Sequence, residues 1–560
     1  MLKKWGIICL SAIMITAIFT GCSNSSNNTS SPPPSNTPES SGAVNNSAKN
    51  EPLGKYDPPI SIGMIRQTSD SAEANLQKLN TGETTEDNRW TRMYEEKLGI
   101  KIKFDWIAKG EAFDQKRKLT LATGDIPEFM AVNASELKQL YEAGLIQDMT
   151  DVYKNYVSDF AKGIMELDGS NPFDAATFDG KMYAIPNIWS SYDSARFLWI
   201  RYDWLQNLGL PEPETMEDVL KISEAFATRD PDGNSKKDTF GLGANRSLED
   251  EPGGLQPFFN AFGAYPEIWF EKQGELVYGT VQPEMKTALL KLQQMYKSGE
   301  IDKEFAVKDS AKVIEDVASG KIGMLFGGHW APFYFQAAKD LDPALDLRPY
   351  AIPGMNGETG LVQLPMGTSS WWVARKDAKN PEAIMKLINM QLEISLGETA
   401  DETFTRTAEG LDTWGMSPVY IQHPEINIMS WNAVKNYVDK DDLTGVDPIS
   451  KQIVKYVKKY KEGDNKQWSM YTIYAPSKSS MEVLDFYIKN DRFQRNMFYA
   501  APTPSMVKRN ETLKKLREET FTKIIIGDSS IDEFDNYVEQ WKTLGGNDIM
   551  KEVAEWRKSS

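Results

Sequence analysis

From residue 60 to residue 145 the apolar positions change period repeatedly, from every second residue to every third and fourth, and each change marks an element. Ile60, Ile62 and Met64 alternate with Ser61 and Gly63 and predict a strand. From Glu86 the spacing of Trp90, Met93, Tyr94 and Leu98 predicts a helix that Gly99 stops. Ile100, Ile102, Phe104 and Trp106 alternate again as a strand. A helix ending near Gly124, a strand around Phe129 to Val132 and a helix from Ser135 to Ala143 before Gly144 continue the series. Strands alternating with helices in this way predict an α/β body with a largely parallel sheet, whose binding positions are the loops at the carboxyl ends of the strands.

A second αβ run follows. Arg201 to Leu205 opens a helix, and Thr215 to Asp218 has capping-box spacing ahead of Val219, Ile222 and Phe226. The far end is helical, with Leu513, Leu516, Phe521 and Ile524 on one face before Gly527. Ser530 to Glu533 has the spacing of another capping box, ahead of Phe534, Tyr537, Val538 and Trp541. No internal repeat is present.

The amino terminus has a different pattern. Lys3 and Lys4 precede an apolar run from Trp5 to Phe19, which is too short for a stable membrane span and ends in Thr20-Gly21-Cys22. This predicts an export signal over 1–21 and an acylated Cys22, with Phe19 and Thr20 departing from the commonest residues of a lipoprotein processing site. Residues 22–52 then read as the lipidated cysteine and a Ser/Asn/Pro tether, which holds too few apolar side chains to form a core. A flexible chain of that length holds a folded body on the order of 30 Å from its anchor. The expected location is extracytoplasmic, lipid-anchored to the outer face of the cell membrane, with no contact to the membrane except the anchor. Cys9 and Cys22 are the only cysteines, so the mature chain needs no disulfide. No later apolar stretch approaches a membrane span, and the body is expected to be soluble.

The formal charge of −17 repels phosphate backbones and argues against a nucleic-acid partner. The chain lacks a Gly-x-Ser-x-Gly elbow, a His-Glu-x-x-His helix and a phosphate loop. Its two histidines, His329 and His423, have no cysteine nearby, which disfavours a transition-metal site or a Ser-His-Asp triad. With 80 acidic residues, carboxylate pairs suited to glycoside cleavage arise by chance and decide nothing.

Two constellations carry chemistry. In Asp230-Pro231-Asp232-Gly233-Asn234-Ser235-Lys236-Lys237-Asp238, oxygen donors at alternate positions suit a hard cation. The expected calcium ligands are Asp230, Asp232, Asn234, the Lys236 carbonyl and Asp238, in a structural role. The loop departs from an EF-hand, with glycine at the fourth position and Gly241 in place of the bidentate glutamate. The alternative is a polar helix-to-strand turn. The second constellation is aromatic: Trp189, Trp269, Trp330, Trp371-Trp372 and Trp414 fall in loop-like contexts. Indoles stack on the C–H faces of sugar rings, while core packing is the competing role of each.

Several ordered segments resemble the extracellular solute-binding proteins of carbohydrate ABC importers. They are the lipoprotein processing site, Gly99-Ile100 after an amphipathic helix, Thr123-Gly124-Asp125-Ile126-Pro127-Glu128, Asp179-Gly180-Lys181-Met182-Tyr183-Ala184-Ile185-Pro186 and Ile200-Arg201-Tyr202-Asp203-Trp204-Leu205. Gln282-Pro283-Glu284-Met285-Lys286, Gly299-Glu300-Ile301-Asp302 and the tail from Pro502 to Gly546 extend the match over the whole mature body. The resemblance is to the long lipoprotein subgroup that includes LplA-like proteins and binders of alginate or glycosaminoglycan fragments.

The resemblance implies a two-lobe, type II periplasmic-binding-protein-like α/β fold with the ligand in the cleft between lobes. Lobe 1 would be 53–185 and 350–415, and lobe 2 would be 186–349 and 416–560, with hinge crossings near Pro186, Tyr350 and Trp414. It implies a monomeric, non-catalytic receptor for an oligosaccharide, with uronic-acid-containing chains among the ligands, that serves ABC permease subunits and, through them, an ATPase. Trp189, Trp269 and Trp330 stand where such proteins place stacking aromatics, with Trp371 and Trp414 as further candidates. Arg66 and Asp125 would rim the cleft, and Arg201 is a candidate clamp for a uronic-acid carboxylate, with a salt bridge as its alternative. The rival classes are an extracellular glycan lyase or hydrolase and a sugar-sensing partner of a membrane kinase.

Overall fold

The computed structural model describes residues 50–167, 171–249, 251–407 and 411–559. The leader, Cys22 and most of the tether lie outside these residues.

Two sheets organise the body. The first has the strand order Ile100–Lys109, Ile60–Thr68, Phe129–Val132, Trp371–Ala374, Ile185–Pro186. Ile60–Thr68 runs parallel to both of its neighbours, whereas Trp371–Ala374 is antiparallel to Phe129–Val132 and to Ile185–Pro186. The second has the order Leu347–Tyr350, Phe197–Arg201, Ile322–Gly327, Phe240–Leu242. There Phe197–Arg201 is antiparallel to both neighbours, and Ile322–Gly327 is parallel to Phe240–Leu242.

Each sheet has its own apolar core. One gathers buried residues from 56–188 and 371–421, among them Trp90, Tyr94, Phe129 and Ile388. The other gathers residues from 195–364 and 431–553, including Trp199, Trp204, Leu289, Tyr487 and Phe521. The chain therefore passes between two cores three times. The first crossing follows Ile188, close to the expected Pro186. The second comes later than the expected Tyr350, because Leu347–Tyr350 and Val362–Leu364 both still pair with strands of the second lobe. The third falls after Ile421 rather than at Trp414, since Met416, Val419 and Ile421 still bury in the first core.

Local sequence explains most element ends. Asn88 caps helix Arg89–Leu98 in a reciprocal box with Thr91, and Gly99 ends it at φ 63°, where a side chain would be strained. Thr215 and Asp218 form the expected capping box of helix Met216–Thr228. The box expected at Ser530 does not form. Helix Glu533–Trp541 begins at Asp532 with no side-chain cap. Gly323 in the central strand of the second sheet is demanded by packing, since a Cβ there would sit 2.2 Å from Phe226 and 2.8 Å from Trp204. Among the described residues no helix is long and apolar enough to cross a membrane.

Candidate functional site

The ends of the strands place the site. Ile60–Thr68 delivers Arg66, Gln67 and Thr68 at its carboxyl end, and Ile322–Gly327 delivers His329 and Trp330 just beyond its own. The first crossing contributes Trp189, Asp193 and Arg196, and the approach to the third contributes Trp414 and Tyr420.

These segments enclose two cavities. One, of about 490 Å³, has residues of both lobes in its wall, among them Trp189, Trp414 and Tyr420 on one side and His329, Trp330 and Asn427 on the other. The second, of about 620 Å³, is lined by Arg66, Gln67, Thr68, Asn75 and Asp412. Trp414 lines both.

The first cavity has an aromatic corner. Trp189 is 38% exposed, with its backbone N–H held at 2.7 Å by the Gly367 carbonyl. Its ring centroid lies 5.6 Å from Tyr420, and Tyr420 lies 4.9 Å from Trp414. Opposite, the Trp330 Nε1–H donates to the Tyr334 hydroxyl at 3.0 Å, and the Arg196 guanidinium lies 5.3 Å from the Trp330 ring centroid. Arg196 also ion-pairs with Glu251, whose carboxyl is raised by burial and whose other oxygen accepts from the Gly328 N–H at 3.2 Å. These contacts hold the indole in place in the cavity wall.

Polar groups surround the rings. Asp193 accepts from Asn427 Nδ2 at 2.7 Å, and the Tyr474 hydroxyl donates to Asn427 Oδ1 at 2.6 Å. Burial lowers the pKa of His329, and its Nδ1 stands 3.9 Å from Asp193 with no hydrogen-bond partner among the described residues. Arg406 is neutralised by Asp412. Arg66 donates from its two terminal nitrogens to the Ser417 and Gly415 carbonyls at 2.8 and 2.5 Å. Burial pulls the Arg66 pKa down to about 10, so it remains charged at neutral pH.

The structure thus brings together Trp189, Trp330, Trp414 and Arg66 of the residues singled out by sequence. It places the others elsewhere. Trp371 is 1% exposed, and its Nε1–H donates to the Pro172 carbonyl at 2.7 Å, so its indole belongs to the first core. Trp269 is 4% exposed and packs on Tyr278 at 5.2 Å in a separate cavity of about 460 Å³, with Phe498, Arg517 and Trp541. Asp125 is exposed and lines neither of the two cavities joined at Trp414. Arg201 is 4% exposed, donates to Asp203 at 2.6 and 2.9 Å and pairs with Asp342 at 3.3 Å, and it lines neither of the two cavities. Burial and two carboxylate partners make the salt-bridge alternative the one the geometry favours. Tyr420, Asp193, Arg196 and Asn427 were not singled out, and only their nearness in sequence to Trp189, Trp414 and His423 pointed to them.

The acidic loop is compact. Gly233 turns it at φ 68°. The Asn234 side-chain nitrogen donates to Asp232 and Asp238 at 2.6 and 3.2 Å, and Ser235 N–H donates to Asp230 Oδ2 at 3.0 Å. Asp230 Oδ1 is buried without a hydrogen-bond partner among the described residues, and burial, with Asp230 and Asp238 nearby, raises the Asp232 carboxyl. Among the described residues no three His, Cys, Asp or Glu side chains stand as a formed metal cluster. The donor chemistry nevertheless fits a hard cation, because Asp230, Asp232, Asn234 and Asp238 bring carboxylate and amide oxygens to one turn.

Comparison with known proteins agrees with this architecture. Lipoprotein LipO of Bacillus subtilis is 24% identical over 100% of this chain and 99% of its own. The polygalacturonan/rhamnogalacturonan-binding protein YtcQ of the same organism is 25% identical over 84% of this chain and 88% of its own. Among solved structures, the fold is shared with alginate-binding protein AlgQ2 without calcium ion at a TM-score of 0.59 and 15% identity, covering 89% of this chain and 98% of that one. It is shared too with the ABC-transporter substrate-binding protein FusA of Streptococcus pneumoniae in complex with kestose, at a TM-score of 0.59 and 17% identity over 90% and 100% of the two chains. Residues 73–393, more than half of the chain, match the family described as bacterial extracellular solute-binding protein. The chain belongs to that family, as a binding protein with an extracytoplasmic place of work rather than an enzyme.

Proposed function

We propose that this protein is a receptor that captures an oligosaccharide between its two lobes and presents it to the permease of an ABC importer. The observation that carries this reading is the first cavity, where the Trp189–Tyr420–Trp414 corner of one lobe faces Trp330 and His329 of the other. A sugar ring stacks on indole while its hydroxyls bond to groups such as Asp193 and Asn427. Contact with both lobes is made only when they close, so ligand raises the closed population and gives the permease a loaded shape to select. The names of the relatives, which bind polygalacturonan or a fructooligosaccharide, support a saccharide as the solute.

The proposal has three further parts. Cys22 carries a fatty acyl anchor and 23–52 tethers the body to the outer face of the membrane, in keeping with a relative named as a lipoprotein. Asp230, Asp232, Asn234, the Lys236 carbonyl and Asp238 hold a structural Ca²⁺, in keeping with neighbours described as crystallised without calcium or as an EF-hand mutant. The receptor works as a monomer. The test is to titrate the protein with an oligosaccharide panel while following both melting temperature and the integrity of each glycan. A melting shift with intact glycan is the expected result, and cleavage of any glycan would replace this reading with a lyase or hydrolase.

A further inference from the structure

Three cationic side chains, Arg66, Lys78 and Arg406, line the two cavities that meet at Trp414. Arg406 is cancelled by Asp412, and Lys78 is exposed in the last turn of helix Asp70–Leu79. Arg66 differs from both. It is half-buried, its two terminal nitrogens donate to backbone carbonyls, and no carboxylate among the described residues pairs with it. A guanidinium has five N–H groups, so several remain unused. The two acids on the first turn of the adjoining helix, Asp70 and Glu73, are turned to Lys109. The cavity wall therefore carries an uncompensated positive charge on a chain whose formal charge is −17.

A partly desolvated cation without a counter-ion is costly, and an anion that reaches it recovers that cost through charge-assisted hydrogen bonds. The carbonyls that orient Arg66 belong to Gly415 and Ser417, directly after Trp414, so the cation and the stacking ring are held by one short segment. We infer that Arg66 sets the charge of the ligand: the saccharide taken by this site carries an anionic substituent, a uronic-acid carboxylate or a sulfate ester, which Arg66 binds while a neighbouring ring stacks on Trp414. This rests on the oligosaccharide-receptor reading. It moves the anion-binding role from Arg201, which is spent on Asp203 and Asp342, to Arg66.

The experiment is calorimetric titration of the whole protein with oligogalacturonates, their methyl esters, sulfated disaccharides, and neutral fructo- and malto-oligosaccharides. Binding confined to a carboxylated or sulfated member is expected, with the methyl-ester and sulfate arms distinguishing the two anions. Arg66→Gln should weaken that binding about 10- to 100-fold, and Arg66→Lys should recover part of it. The wild-type comparison of acid with ester tests the inference even if a variant fails to fold. Tight binding of a neutral oligosaccharide that Arg66→Gln leaves unchanged would overturn the inference and leave the receptor reading standing. Absence of binding across the whole panel would count against both.

Discussion

Trp189 and Trp414 stand edge to face, ring centroids 6.4 Å apart at 76°, although one lies at the first crossing between lobes and the other just before the third. The pair places side chains of the crossing segments in the cavity wall, so a saccharide held there, as proposed, would couple stacking to movement of the lobes. Trp330, from the other lobe, completes the cavity.

Removing one of these rings should therefore cost binding more than folding. Trp414→Ala and Trp330→Ala are expected to weaken saccharide binding by about 1–2 kcal/mol, while the melting temperature changes little, because both indoles are only part-buried. A collapse of the fold in either variant would assign that ring to the core.

Arg201 makes the opposite prediction. Truncating one partner of a buried ion pair leaves the other uncompensated, at a cost of about 3–5 kcal/mol. Arg201→Ala should lower stability by that order, seen in denaturant titration, and leave saccharide affinity of the folded fraction unchanged. A selective loss of affinity would restore it as a ligand residue.

The acidic loop links metal to stability. If Ca²⁺ is held there, excess chelator lowers the melting temperature, and Asp232→Ala removes that sensitivity. A melting curve indifferent to chelator would leave the loop as a polar turn.

A pH effect follows from the cluster of Glu249, Glu267 and Arg517 in the second lobe. Burial and the neighbouring Glu267 push the Glu249 carboxyl up to about 8, against the opposing pull of Arg517 and Lys514. Unfolded, a glutamate titrates at about 4.3. Between those values the folded state holds a proton that the unfolded state has released, so this group's contribution to stability falls as pH rises from about 4.3 to about 8. Glu249→Gln should flatten the decline of melting temperature across that window; an unchanged profile would mean Glu249 is ionised in the folded protein.

The anchor has a direct readout. Cys22→Ser should shift the protein from the membrane fraction to the soluble exported fraction of the cells that make it, with ligand binding by the purified body intact. Retention in the membrane fraction would indicate another means of attachment.

Sequence alone determined what local physics determines. Alternating residues gave the strand Ile60–Thr68, helical spacing and Gly99 bounded Arg89–Leu98, and Thr215 with Asp218 announced the cap of Met216–Thr228. The succession of strands and helices set the α/β class. The hinge was legible only in part, because a crossing is defined by which core a segment joins: nothing near Val362 shows that it pairs beside Phe493. The site was the least legible. An indole satisfies a core as well as a cleft, so Trp189, Trp371 and Trp414 look alike in loop-like contexts. Only tertiary packing sent Trp371 inward to Pro172 and kept Trp189 and Trp414 at the cavity. The two arginines separate for the same reason, since a guanidinium's role depends on the charges that folding brings around it. Asp342 reaches Arg201 from a distant segment, whereas Arg66 donates to the Ser417 and Gly415 carbonyls and pairs with no carboxylate among the described residues.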